Sequence, residues 1–478
     1  MAKTSELCDL SAVDALASIQ AREFSALDLF DSCARRIESV NPVVNAIVAI
    51  DLELGRDNAK AFDNNSTRQS LLGGLPVGIK DLENTKGIRT THGSLEFKDH
   101  VPDCSDPMVE RLAEHGGNLF CKTNVPEFGA GANTFNKVYG VTCNPFNTDK
   151  SCAGSSGGTA VSLACGMLPL ATGSDYGGSL RTPAGFCGIT GFRPSAGVVP
   201  YAHNGVGLNP FVVLGPMGRT VADAHLLLKA QSGSDNNDPF NGSAVTIPEQ
   251  LHPSDLSTVK AAWSVNLGCC PVDNQIGELF ESRVAQFSAA FKECDCDHPD
   301  FGSIHDTFEV LRGLFFVAGH HERLNNHRDI LSTNVIDNTE RGLQLTAAEI
   351  GAAFTEQSLI YRRVLKFFKE TDTDVLICPA SSVSPFNHSE LSVKEINGEP
   401  MATYMTWLAL VYAPTMALCC SCVIPCGYDH NGLPFGVQIV GPKGSDAKVL
   451  GVAASLEQLF AGNPVTARPV PDLSALCS

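Results

Sequence analysis

The chain predicts an α/β protein, a β-sheet covered on both faces by helices. Short apolar runs of strand length recur from residue 44 to residue 440, and amphipathic stretches of helical length separate them. No Pro/Ser/Gly linker, internal repeat or low-complexity tract divides the 478 residues, so one large domain is expected.

Taken in order, residues 11–21 and 25–40 show helical periodicity. In the second stretch Leu27, Leu29, Phe30, Cys33 and Ile37 recur at three- and four-residue steps. Asn41-Pro42 is expected to stop that helix, because the residue before proline avoids the helical region. The apolar run 44–50 reads as the end of the pair or as a first strand. Strands follow at 77–79, 118–121 and 168–171, with helices at 108–115 and 157–166. Helices are expected at 222–232 and 277–292, with a strand at 259–264 between them. A long amphipathic helix at 347–369 leads to a buried strand at 375–378, ended by Pro379. Late strands at 423–425 and 435–440 and a closing helix at 447–460 complete the reading.

Composition narrows the function classes. Hydrophobic residues make up 43% and charged residues 18%, which suits a globular chain rather than a disordered one. A formal net charge of −18 argues against a broad nucleic-acid-binding face. No apolar run approaches the ~18 residues of a membrane span, and the N-terminal residues are polar rather than a signal core. Eighteen cysteines in 478 residues fall far below a disulfide scaffold, so reduced thiols and a cytoplasmic location are expected. Cys419, Cys420, Cys422 and Cys426 lie in an apolar run and read as small core residues.

Four motifs invite chemistry and lose to simpler readings. Cys294-Asp295-Cys296-Asp297-His298 has no second ligand pair at a zinc-like spacing. Gly116 to Thr123 nearly matches a phosphate loop, but Cys121 stands where the second glycine is needed, so a strand is expected there. His320-His321 reads as a helix surface or a satisfied core pair. Gly154-Ser155-Ser156-Gly157-Gly158 formally matches a nucleophile elbow with Ser156 as nucleophile, yet none of the thirteen histidines sits in a recognisable context.

The glycine-serine segment nevertheless points to acyl transfer. A buried helix opens directly after Gly158, which turns the loop into a fixed platform with N–H groups at a positive helix end. A second segment, Asp175-Tyr176-Gly177-Gly178-Ser179-Leu180-Arg181, repeats the theme of serine beside glycine. Free N–H groups in such turns form an oxyanion site, and serine beside them supplies a nucleophile. Upstream, Lys80 follows the apolar run Leu75-Pro76-Val77, and a half-buried lysine is a possible base for a serine.

These residues resemble the amidase signature family of hydrolases, which use a Ser–cis-Ser–Lys triad. The resemblance rests on Ala153-Gly154-Ser155-Ser156-Gly157-Gly158 and on Asp175 to Ala184. It continues through Phe186 to Ser195, Lys122 to Phe128 and Gly215 to Thr220. It is dense from Gly74 to Arg219, with weaker echoes at both ends. It implies the amidase signature fold, a large mixed central β-sheet covered by helices on both faces. Within one domain, 1–478, it implies N-terminal helices (1–70), the signature catalytic core (74–220), a variable substrate-side region (233–370) and the C-terminal part of the sheet (371–478).

Carried over residue by residue, Ser179 would be the nucleophile and Ser155 the bridging serine, with the Gly154–Ser155 peptide cis. Lys80 would be the terminal base. N–H groups of Tyr176, Gly177, Gly178 and Ser179 would form the oxyanion hole. Ser156, Asp175 and Arg181 would hold the loop. Cys152-Ala153 replace the commoner Pro-Gly, and Tyr176 replaces the usual Thr or Ile, placing a ring at the substrate mouth. A neutral Lys80 requires a pKa of ~10.4 to fall to ~8, about 3 kcal/mol, mainly by desolvation.

No metal or cofactor is required by such a scheme. The implied activity is hydrolysis of small or aryl carboxylic amides, with carbamates and esters open to the same chemistry. The alternative is the glutamine amidase subunit of a tRNA-dependent amidotransferase, against which the negative charge and the divergent region 233–369 argue. No nucleic-acid or membrane partner is expected, and a homodimer is one assembly open to the chain. Phe128, Tyr139, Tyr176, Phe315 and Phe316 are candidate linings of an acyl pocket.

Overall fold

A computed structural model describes residues 6–65, 70–201, 205–241, 245 and 247–477; the first five residues of the polar N-terminus lie outside this set. Eleven strands form one mixed sheet: β1 (Ile47–Ile50), β2 (Pro76–Lys80), β3 (Asn118–Thr123), β4 (Leu170–Asp175), β5 (Thr190–Arg193), β6 (Val213–Gly218), β7 (Lys260–Trp263), β8 (Glu293–Cys296), β9 (Val375–Pro379), β10 (Cys420–Tyr428) and β11 (Pro434–Gly441). Their order across the sheet is β1-β3-β2-β4-β6-β5-β10-β11-β9-β7-β8. Strands β3, β2 and β4 run parallel, as do β9, β7 and β8, while the pairs from β4 through β9 are antiparallel.

Every residue of β2, β3, β4, β6 and β11 is buried. Successive side chains of a strand point to opposite faces, so continuous burial means that helices cover both. The expected fold class is therefore the observed one. Helices Arg181–Cys187 and Asp446–Ala461 pack on β10 and β11, and Val221–Gln231 packs on β6.

Most elements lie where periodicity places them, with instructive exceptions. The helix over Ala26–Val44 runs through Pro42 and ends at Asn45, whose φ of 50° turns the chain. Proline so close to a helix end deprives only the last turn of a hydrogen bond. Just past the helix end the Asn41 side chain caps the chain, accepting from the N–H groups of Ala46 and Ile47 at 2.9 and 2.8 Å. Strand β6 carries no strand signal of its own, because Gly215, Pro216 and Gly218 are strand breakers. It is tolerated because the ladder to β5 begins only at Met217, past the proline.

The segment Gly116-Gly117 leads into strand β3 rather than round a phosphate. Cys294 and Cys296 lie on β8 at the sheet edge, and among the described residues no group of three or more His, Cys, Asp or Glu is placed to hold a metal ion. Cys419, Cys420, Cys422 and Cys426 are buried, and every cysteine is a free thiol. No helix of the described residues is long and apolar enough to cross a membrane.

Candidate active site

Lys80 ends β2, and its neighbours in the sheet and the serine loop converge on it. Its N–H donates to Thr172 Oγ1 on the parallel strand β4 at 2.9 Å, which fixes the residue against that strand. Its Nζ donates to Ser155 Oγ and Ser156 Oγ, both at 2.8 Å, and to Ser174 Oγ on β4 at 2.9 Å. The lysine is wholly buried. Burial pulls its pKa from 10.5 down to about 8, against the opposing pull of Glu83 and Asp175.

The serine loop is held by the helix that follows it, Gly157–Ala164. A side chain at Gly158 would place its Cβ 2.2 Å from the backbone nitrogen of Asn124, so only glycine lets the helix start this close to the β3 end. The Gly154–Ser155 peptide is cis. The N–H of Ser156 donates to the carbonyl of Ser179 at 3.2 Å, tying the two serine segments together.

Asp175, the last residue of β4, organises the second segment. Its carboxylate accepts from the N–H of Gly178 at 3.0 Å and of Leu180 at 3.1 Å, and from Arg181 Nε and Nη2 at 3.0 and 2.9 Å. Arg193 Nη1 adds contacts of 2.7 Å to its carbonyl and 3.2 Å to its carboxylate. Burial works against this charge, but Arg181 and Arg193 hold the carboxyl well below its usual range. Arg181 is itself anchored by Gln438 Oε1 and the Val411 carbonyl at 2.7 Å and by Thr415 Oγ1 at 2.8 Å. Gly178 has a φ of 107°, and a Cβ there would lie 2.3 Å from Val411.

One of the four expected oxyanion donors is corrected. The Gly178 N–H is engaged by Asp175, because the turn folds back onto the carboxylate at its start. The other three, the N–H groups of Tyr176, Gly177 and Ser179, meet no acceptor among the described residues. The Ser179 hydroxyl is half-buried and likewise unbonded among them, beside this turn. Ser155, Ser156, Lys80, Asp175, Arg181 and Ser179 are thus brought into one region. Ser174, Thr172, Arg193 and Gln438 join them without any signal in local spacing.

The ring of Tyr176 stacks on Phe315 at 5.3 Å and meets Phe308 at 5.8 Å and Phe211 at 6.1 Å. Phe308 and Phe315 come from the helix Ile304–His327, which has no counterpart among the elements expected from periodicity. Phe316 packs on His320, and His320 on Phe128, so the histidine is buried on an apolar wall with its Nδ1 unpartnered. Of the two readings of His320-His321, the helix surface holds for His321, which is exposed, and the satisfied core pair does not hold for His320. The Tyr139 ring lies under Arg89 and has no ring contact with these aromatics among the described residues. A cleft of about 820 Å³ lined by Arg35, Arg36, Arg219 and Arg468 contains none of the serine-site residues.

A buried lysine with a lowered pKa, hydroxyls around it and a glycine turn with unengaged N–H groups are the parts that serine-based acyl transfer needs. The family model described as Amidase matches residues 28–450. An acylamidase of Rhodococcus erythropolis is 30% identical over 456 residues, covering 94% of this chain and 95% of that protein. A glutamyl-tRNA(Gln) amidotransferase subunit of Halothermothrix orenii is 29% identical over 502 residues, covering 97% and 99%. A solved bacterial aryl acylamidase of the amidase signature family shares the fold, with a TM-score of 0.87 at 24% identity over 95% of this chain and 96% of that one. The chain belongs to the amidase signature family of hydrolases.

Proposed function

We propose that this protein is a stand-alone amidase that cleaves the C–N bond of small or aryl carboxylic amides through an acyl-Ser179 intermediate. The observation that carries the reading is the buried Lys80, its Nζ 2.8 Å from Ser155 Oγ and its pKa drawn down to about 8. In the scheme, Ser179 Oγ attacks the amide carbonyl as its proton passes through Ser155 to neutral Lys80. The oxyanion takes the N–H groups of Tyr176, Gly177 and Ser179. Each such donor commonly accounts for ~3–4 kcal/mol of transition-state stabilisation. The proton returns to the leaving amine, and water releases the acid from Ser179. The scheme requires a hydrogen bond between the Ser155 and Ser179 hydroxyls that forms when substrate is bound, as catalytic hydrogen bonds do.

Ser156 and Ser174 orient the lysine, while Asp175 and Arg181 shape the turn. The region 233–370 supplies the substrate side, a role supported by the aromatic face of Ile304–His327 against Tyr176. Carbamates and esters fit the same acyl chemistry.

A second reading, the glutamine amidase component of an amidotransferase, is favoured by relatives of that name at 29% identity. Purified chain should release aniline from a simple anilide with no partner added. Hydrolysis confined to glutamine, and only with a partner protein present, would favour the second reading.

A further inference from the structure

Arg312 sits in the middle of the helix Ile304–His327 and is 5% exposed. Its guanidinium lies over the rings of Phe316 at 4.7 Å, Tyr404 at 5.6 Å, Tyr176 at 5.7 Å and Phe308 at 5.9 Å. Nε donates to Asn338 Oδ1 at 3.2 Å, and Nη2 donates to the Tyr404 hydroxyl. Both acceptors are neutral, and they use only two of the five N–H donors that a guanidinium carries. Among the described residues no carboxylate pairs with it. The acid one turn earlier, Glu309, accepts from Thr403 Oγ1 at 2.7 Å and faces Arg341 at 3.8 Å.

This cation adjoins the reacting centre. Tyr176 opens the glycine turn, and a Cβ on Gly177 would meet Phe308 at 3.4 Å and Met405 at 2.9 Å. Arg312 is therefore one ring away from the N–H groups assigned to the oxyanion. Aromatic faces offset part of the cost of burying a positive charge, but a buried arginine without a counter-ion keeps its planar fork ready for a carboxylate.

We propose that Arg312 is a specificity-determining residue that receives a carboxylate carried on the acyl part of the substrate. The proposal rests on the reading of the serine site given above. The preferred substrates are then mono-amides of short dicarboxylic acids, with the linking methylenes or ring packed against Tyr176, Phe308 and Phe315.

The test compares kcat/KM for glutaric acid monoanilide with that for pentananilide, which lacks the carboxylate. Wild type should favour the acid by at least about tenfold, and Arg312→Met should bring that ratio down to about one, with partial recovery in Arg312→Lys. No preference in wild type, or equal losses on both anilides in Arg312→Met, would overturn the proposal. If Arg312→Met does not fold, binding of glutarate to the Ser179→Ala protein decides the matter. Glutarate should bind at least about tenfold more tightly than pentanoate, and equal affinity would refute the assignment. Glutarate binding with neither anilide turned over would reject the amidase reading while supporting Arg312.

Discussion

Lys80 can accept a proton only when uncharged, so the rate of turnover should follow its titration. Burial lowers its pKa from 10.5 to about 8, a differential cost of about 3 kcal/mol. The neutral fraction is then about a tenth at pH 7, half at pH 8 and nine-tenths at pH 9. Initial rates of aniline release at low substrate, from pH ~6 to ~10, give kcat/KM and hence the ionisation of the free enzyme. The expected profile rises tenfold per pH unit on the acid side, bends near pH 8 and flattens above it, climbing about tenfold in all between pH 7 and pH 9. An unshifted lysine would instead give a rise of ~100-fold over that interval with no bend. Either that steep climb or a flat profile would refute the assignment of Lys80 as a desolvated base. Lys80→Arg should be inactive throughout, since arginine does not lose its charge in this range.

Three further outcomes follow from the same geometry. Glu83 is buried and its negative charge raises the Lys80 pKa, so Glu83→Gln should move the acid limb of the profile to lower pH; an unmoved or upward-shifted limb would contradict the coupling. Arg181→Met removes a buried partner of Asp175 and strands Gln438 and the Val411 carbonyl, and it should cost ~3–5 kcal/mol in urea unfolding. A loss below about 1 kcal/mol would mean that the pair is not what holds the turn. Gly178→Ala forces a Cβ to within 2.3 Å of Val411 at a φ of 107°, and the strain of ~1–3 kcal/mol should appear as a lower Tm and a falling kcat. Wild-type kcat in that variant would show that the turn tolerates displacement.

The parts of the site that can be read in the sequence lie within short motifs. Ser155 and Ser156 share one loop, and Asp175, Ser179 and Arg181 share one turn, so their proximity is local. Lys80 is legible through the resemblance, and its burial through the apolar strand before it. Ser174 is not, because a lone serine in a strand carries no pattern; it reaches Lys80 only because β2 and β4 pair in parallel. The engagement of Gly178 by Asp175 depends on how the turn folds back, which composition does not disclose. Arg312 and Phe308 stand more than a hundred residues from Tyr176, and only packing of their helix across the turn brings them there. Strand β6 is hidden by its own glycines and proline, and the helix end at Asn45 by the stop signal of Pro42.

The central claim is that Ser179 carries the acyl group. Wild-type protein mixed with a p-nitrophenyl ester of a short acid and quenched in acid within the first turnover should gain one acyl mass per chain. Peptide mapping should place it on the fragment containing Ser179, with none on Ser179→Ala. An acyl group mapped to Ser155 or Ser156, or equal labelling of Ser179→Ala, would contradict the account.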